Sequence, residues 1–345
     1  MRGRAFHGGV QLTRPALRRL DPQALDPVDL AGGLAVYEAA RRVDYPHMLP
    51  RTAQAWTADL VLGWDGEPPT AYVQRDGRGR AVGVLEVYLP ERDNRHLAML
   101  DVTVHPAVRR QRLGRELLEA GLDRARAASR GTVWVEGFDT AAARGFAARH
   151  DLQPAIVEVN RRQMMHDVDH DDVAAVVADA TEHATDYELL RVTGPVPADL
   201  MDQMVVLVAA INDAPMDDLE FEDEVFSSDR LRAFDAGQVA KGGRLYRLVA
   251  RHRATGVLAG HTVVAVDEDR PWHAGQLDTS VLAAHRGHRL GLLLKGSMVQ
   301  WLAQTEPQLL EVDTWNAASN AHMIAVNERL GYQVVATATC YQTHV

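Results

Sequence analysis

The chain has 345 residues, 46% of them apolar and 24% charged, enough for two domains with a core each. A formal net charge of −10 speaks against a nucleic-acid surface and for a neutral or cationic partner. The single cysteine, Cys340, excludes an internal disulfide and a multi-cysteine metal site, and fits a reducing compartment.

The first residues lack the apolar core of a signal peptide, and the longest apolar run, 204–211, is too short to span a bilayer. A cytoplasmic protein without membrane or nucleic-acid partners is expected. In chain order, residues 10–20 read as a strand. Residues 30–43 read as a helix stopped before Pro46, and 52–62 as a second helix broken by Gly63. Three strand-like runs follow at 71–75, 81–89 and 96–104, separated by turn residues as in an antiparallel meander. A turn, a helix to about 129, a strand at 132–136, a helix at 140–149 and closing strands at 156–165 complete the unit. The Asp-, His- and Ala-rich stretch 167–186 reads as a linker.

The pattern then restarts: a strand at 187–193, helices at 198–212 and 222–234, and strands at 245–251, 256–266 and 275–281. A turn, a helix to about 303, a strand at 309–314, a helix at 319–330 and closing strands at 332–341 end it. The order β-α-α-β-β-β-α-β-α-β, present twice, predicts an α/β (α+β) protein with a mixed, mostly antiparallel sheet in each half. The halves are expected at 1–166 and 187–345.

Residues 277–294, LDTSVLAAHRGHRLGLLL, organise this pattern, and residues 100–118, LDVTVHPAVRRQRLGRELL, repeat them. Asp101 matches Asp278, 177 positions on; Val104 matches Val281, Arg109 matches Arg286, and Leu113-Gly114 matches Leu290-Gly291. A strand that turns into a helix start presents unpaired N–H groups and the positive end of the helix dipole, a seat for phosphate oxygens. Two copies this far apart point to a duplicated domain.

The element order and the phosphate turn resemble the GCN5-related N-acetyltransferases, here as a tandem pair. The family motif is Arg/Gln-x-x-Gly-x-Gly/Ala. The second half has Arg286-Gly287-His288-Arg289-Leu290-Gly291, and the first has Arg109-Arg110-Gln111-Arg112-Leu113-Gly114. Both put arginine, Arg289 and Arg112, where the family has its middle glycine. The resemblance implies that these turns hold the pyrophosphate of acetyl-CoA, the acyl donor. A second family signature, an asparagine, a tyrosine seven residues later and then Gly-aromatic, is met by Asn320, Asn327 and Gly331-Tyr332. By that resemblance Asn320, with Asn316 nearby, would bind the pantetheine arm. Asn327 stands where the family carries its proton-donating tyrosine, which leaves the general acid unassigned. In the first half the same positions are Thr140, Ala147 and Asp151-Leu152. The second half is therefore expected to be the catalyst and the first a degenerate copy.

Acetyl transfer to an amine needs a neutral amine, a polarised carbonyl and a proton for the leaving sulfur. Backbone N–H groups at Val281 and Leu282, or Val104 in the first half, are placed at the thioester. Asp278 and Glu311, with Asp313, are the candidate bases, each equally readable as an ion-pair partner. Asp278 and Ser280 share a strand face. Seven carboxylates between 213 and 224, with no Lys or Arg, place Asp213 and Asp217 as acceptor-binding residues favouring a cationic amine. The same acidity reads equally as a solvated helix start. Cys340, Tyr341 and His344 are not assigned to chemistry, and His166 and His170 lack a third metal ligand. The expected protein is a metal-free, acetyl-CoA-dependent N-acetyltransferase acting on a small amine by direct attack, as a monomer or homodimer. The alternatives are a non-catalytic acyl-CoA-binding protein and an acyltransferase for a larger acyl group or a mycothiol-type precursor amine.

Overall fold

The computed structural model describes residues 17–345. Of the first expected strand only β1 (Leu17–Arg19) falls within them; residues 10–16 lie outside the described residues. The first run continues through α1 (Pro27–Asp44), α2 (Ala53–Leu62), β2 (Thr70–Arg75), β3 (Ala81–Tyr88), β4 (Leu97–Val104), α3 (Leu113–Ala127), β5 (Thr132–Phe138), α4 (Ala141–Arg149) and β6 (Gln153–Met164). Local chemistry sets the ends. The Asp26 side chain accepts from Val28 N–H with Pro27 in the first turn of α1, Thr52 caps α2, and Gly63 at φ 70° ends it.

Residues 167–186 are not a linker. They contain α5 (His170–His183), capped by Asp169, whose Val173, Val176 and Ala180 are buried in the core of the second half. Those three positions form one helical face; the Asp- and His-rich composition is the other face. Then come β7 (Tyr187–Thr193), α6 (Met201–Val208), α7 (Ser228–Ala240), β8 (Gly243–His252), β9 (Leu258–Asp267), β10 (His273–Val281), α8 (Leu290–Thr305), β11 (Glu311–Ala317), α9 (Ala321–Arg329) and β12 (Gln333–His344). The helix expected at 222–234 starts six residues later, at Ser228 behind the Ser227 cap. The acidic stretch before it is irregular because its backbone groups bond to the other half.

All twelve strands form one sheet, in the order β1-β2-β3-β4-β5-β12-β6-β11-β10-β9-β8-β7. Only β4–β5 and β10–β11 are parallel. The closing strands are exchanged: β6 pairs with β11, and β12 pairs with β5. Neither 1–166 nor 187–345 therefore completes its own sheet, a correction to the expected division. Helices cover both faces. One face of the first half holds Leu100, Leu117, Val135, Ala147 and Tyr341 against α3 and α4; the other holds Val36, Trp56 and Val73 against α1 and α2. At the junction Leu97, Trp134, Ile156, Ala317 and Cys340 pack with Met216, Leu219 and Phe221. Among the described residues no helix is long and apolar enough to cross a membrane, and no group of three or more His, Cys, Asp or Glu is placed to hold a metal.

Candidate active site

In the first half β4 and β5 are in register from Leu97 opposite Thr132 to Leu100 opposite Val135, where pairing ends. Both strands run on, to Val104 and Phe138. Their ends splay into a fork, and a cavity of about 1030 Å³ opens there. His105 N–H donates to Val82 O at 2.9 Å. Successive strand residues address opposite neighbours, so Val104 aims its N–H into the fork.

On one side of the cavity lies the phosphate turn. Arg110 and Arg112 adopt left-handed backbone at φ 66° and 69°, which brings the chain round to the start of α3. Arg112 sits at the N-cap without a side-chain cap bond, leaving the first N–H groups of α3 open to a ligand. Arg109 instead braces the turn, donating to Val104 O at 3.2 Å and to Asp44 at 2.9 Å. Arg110 and Arg112 are exposed and have no ion-pair partner among the described residues.

The other side is acidic. Asp101 on β4 accepts from Thr103 Oγ1 at 2.9 Å and from Tyr37 OH at 3.4 Å. Burial, then the neighbouring Glu86, raises it to about 6. Glu136 on β5 projects into the open cavity without an ion-pair partner among the described residues. Desolvation by the cavity walls, with Glu158 and Asp101 close by, raises Glu136 to about 7, although its side chain stays exposed to the cavity.

The outer wall comes from the second half. Residues 214–227, between α6 and α7, cross the junction. Glu222 N–H donates to Asn94 Oδ1 at 2.7 Å, Thr132 Oγ1 donates to Glu220 at 2.7 Å, and Val225 N–H donates to Asp93 at 2.7 Å. Buried Arg230 spends its donors on Asp65, Asp93 and Glu224. Phe221, Glu224 and Arg230 line the cavity beside Trp64 and Trp134. The acidic loop read as acceptor side of the second half thus walls the cavity of the first.

Residues 35–151 match the acetyltransferase (GNAT) family model. The whole fold is similar to a tandem GNAT protein from the clavulanic acid biosynthesis pathway, at 26% identity over 95% of this chain and 98% of that one, with a TM-score of 0.79. A GCN5-related N-acetyltransferase from Sphaerobacter thermophilus shares the fold at 15% identity, over 95% of each chain, with a TM-score of 0.64. No curated protein sequence matches. Residues 35–151 form a GNAT acetyltransferase domain, and the whole chain has the tandem GNAT fold.

In this acetyltransferase the second half repeats the fork and the turn, with its polar groups tied up. The β10–β11 register ends at Gln276 opposite Thr314, and Gly287 and Arg289 take positive φ, 86° and 56°. The uncapped start of α8 spans Leu290 and Gly291, and exposed His288 turns its Nδ1 toward the carbonyl of Arg286. Arg286 pairs with Asp213, and Arg289 with Asp179 of α5. Asp213 therefore braces the turn, as Asp44 does in the first half, and is not free for an acceptor. Asp217 is an exposed turn residue at φ 48°.

Val281 N–H aims into the second fork as Val104 N–H does into the first, whereas the other expected residues are engaged. Leu282 N–H donates to Ala259 O at 2.9 Å, so it is not a free donor. Asp278 lies 2.8 Å from His261 Nε2 and accepts from Ser280 Oγ. Glu311 pairs with Arg162 at 3.0 Å; Asp313 pairs with the same guanidinium at 2.6 Å. Asn320 caps α9 through Met323 N–H. Asn327 is fully buried and donates to the half-buried Asn316 at 2.6 Å, so the Asn327 amide is not presented to a cleft. Glu136 escaped the sequence reading; the 180-position offset that carries Asn320 onto Thr140 carries Asn316, not a carboxylate, onto Glu136.

Proposed function

We propose that the first half is the catalytic one and that it transfers the acetyl group of acetyl-CoA to the amine of a small cationic molecule by direct attack. The observation that carries this is the pair Asp101 and Glu136, both raised toward neutrality at the fork, beside an open cavity. Asp278, the counterpart of Asp101, is held by His261, and the β11 carboxylate Asp313 is held by Arg162. The cavity is polarised in the same sense: Arg110 and Arg112 line it at the turn, and Asp65, Asp93 and Glu224 surround Arg230 at the other end, with Glu67 also in the lining. A polyphosphate donor and a cationic acceptor fit those two ends.

In this reading Arg110, Arg112 and the open N–H groups of α3 hold the pyrophosphate. The Val104 N–H polarises the thioester carbonyl. Glu136, assisted by Asp101, takes the proton from the attacking amine; a carboxylate poised near neutrality suits that task. The second half contributes the outer wall. The test is acetyl-CoA turnover, read as thiol release, against diamines, aminoglycosides and neutral or anionic amines. Turnover confined to cationic amines and lost in Glu136→Gln supports the proposal. Turnover that survives Glu136→Gln but disappears with Asp278→Asn sinks it in favour of the second half.

A further inference from the structure

The exchanged strand β6 carries a charge into the second half. Arg161 is 6% exposed, its Nε and Nη1 have no hydrogen-bond partner, and it makes no ion pair among the described residues. A buried guanidinium left alone is costly, so a folded protein ordinarily pairs it or binds something to it. Arg161 stands opposite Thr314 in the β6–β11 ladder, and Thr314 stands opposite Gln276 in the last pair before the second fork. Tyr341 of β12 holds the same station in the first half. It lies opposite Val135, which is paired with Leu100 at the end of the β4–β5 register, and its ring lines the cavity. The exchanged strands thus put a phenol ring beside one fork and a guanidinium beside the other.

Side chains alternate along β6, so Arg161 and Arg162 point to opposite faces. Arg162 pairs with Glu311 and Asp313 on one. Arg161 shares the other with Thr314, the face on which Val312 packs against α8 and α9. The carboxylates of α5 are spent elsewhere, Asp172 on Arg329 and Asp179 on Arg289. Gln163, two residues along the same face, donates its amide to Leu330 O at 2.6 Å and brings no charge. The other cation buried in this core, Lys295, faces the Tyr332 ring. Among the described residues no acid neutralises Arg161.

We infer that Arg161 anchors a carboxylate at the second fork, which makes the second half a binding site for an anionic ligand whichever half transfers acetyl. One guanidinium matches a carboxylate in charge and in planar shape, whereas a phosphate dianion calls for a second cation at the same place. The carboxylate belongs either to a free small acid or to the far end of a dicarboxylic acyl thioester carried by the turn at Arg289. The ligand is held without chemistry, since Asp278 and Asp313 are tied to His261 and Arg162.

The experiment titrates sodium acetate and inorganic phosphate by calorimetry into wild type, Arg161→Met and Arg161→Lys, with melting temperatures alongside. Acetyl-CoA and succinyl-CoA are titrated into the same three proteins carrying Gly114→Trp, which fills the first turn. The expected result is one equivalent of carboxylate ligand bound by wild type and none by Arg161→Met. Arg161→Lys keeps the charge but loses the planar fork, and should bind about tenfold more weakly. Without ligand, Arg161→Met should melt no lower than wild type, because it removes an unpaired charge. A saturating carboxylate should raise the melting of wild type by about 3 °C and leave Arg161→Met unmoved. Uptake of acetate identifies a free acid as the source. Succinyl-CoA binding about tenfold tighter than acetyl-CoA, with the difference erased by Arg161→Met, identifies the acyl chain. Binding of phosphate alone, no binding of any carboxylate, or equal binding in all three proteins overturns the inference. So does an Arg161→Met that melts well below wild type without ligand, since the guanidinium would then be paired within the fold.

Discussion

Glu136 on β5 and Asp313 on β11 are given opposite kinds of neighbour by the exchanged strands. Cys340 of β12 stands opposite Glu136, whereas Arg162 of β6 stands opposite Asp313. A guanidinium beside Asp313 holds that carboxyl below its ordinary value against the cost of burial. A thiol does no such thing for Glu136, which burial raises to about 7. The neighbour supplied by the exchanged strand therefore separates an available base from a structural ion pair.

The acid limb of the reaction should report this. A base acts only when deprotonated, so kcat/KM is expected to rise with pH through about 7 as Glu136 ionises. Glu136→Gln should lower kcat/KM by about 100-fold and Asp278→Asn by less than about threefold. A pH–rate profile of each variant, with a saturating donor, checks both statements.

The two phosphate turns should behave differently when filled. A Cβ on Gly114 would already meet Phe146 at 3.1 Å, at the mouth of the groove between α3 and α4, whereas one on Gly291 meets nothing within 4 Å. Gly114→Trp is expected to abolish both acetyl-CoA binding, by calorimetry, and turnover. Gly291→Trp should leave turnover in place. The reverse pattern would return catalysis to the second half.

Lys295 offers a stability test away from the site. It is 2% exposed in the core of the second half, its ammonium 4.8 Å from the centre of the Tyr332 ring, and burial lowers it to about 7. Between about 7 and the ordinary amine value the unfolded chain binds one more proton than the folded one, so stability rises with pH across that window. Lys295→Met removes this dependence. The variant should exceed wild type by on the order of 4 kcal/mol at pH 7 and below, with the gap closing toward pH 10. Urea unfolding at several pH values measures it.

Arg230 ties the halves together. It is buried and bonds Asp65 and Asp93 of the first half as well as Glu224 of its own. Removing one member of such a network leaves charges buried without a partner, so Arg230→Met is expected to cost about 3–5 kcal/mol. Because Phe221 and Glu224 line the cavity, the milder Phe221→Ala should raise KM for the acceptor while the acetyl-CoA Kd stays put. Equilibrium unfolding and steady-state kinetics separate the two effects.

The sequence alone determined the elements, the tandem plan and the family resemblance. Periodicity, caps and the repeated turn are local signals, set by residues a few positions apart, and they gave most strands and helices correctly. The stretch 167–186 was misread because its charged face dominates its composition while three small apolar residues bury it. The proposal that the first half works rests only on tertiary structure. The Asn320 signature marked the second half, yet Asn320 caps a helix and Asn327 is buried against Asn316. The free base and the outer wall of the first half come from strand exchange and from a loop that crosses the junction. Those pairings join residues some 200 positions apart, and the free energy that selects them is burial across the whole sheet, which no local pattern encodes.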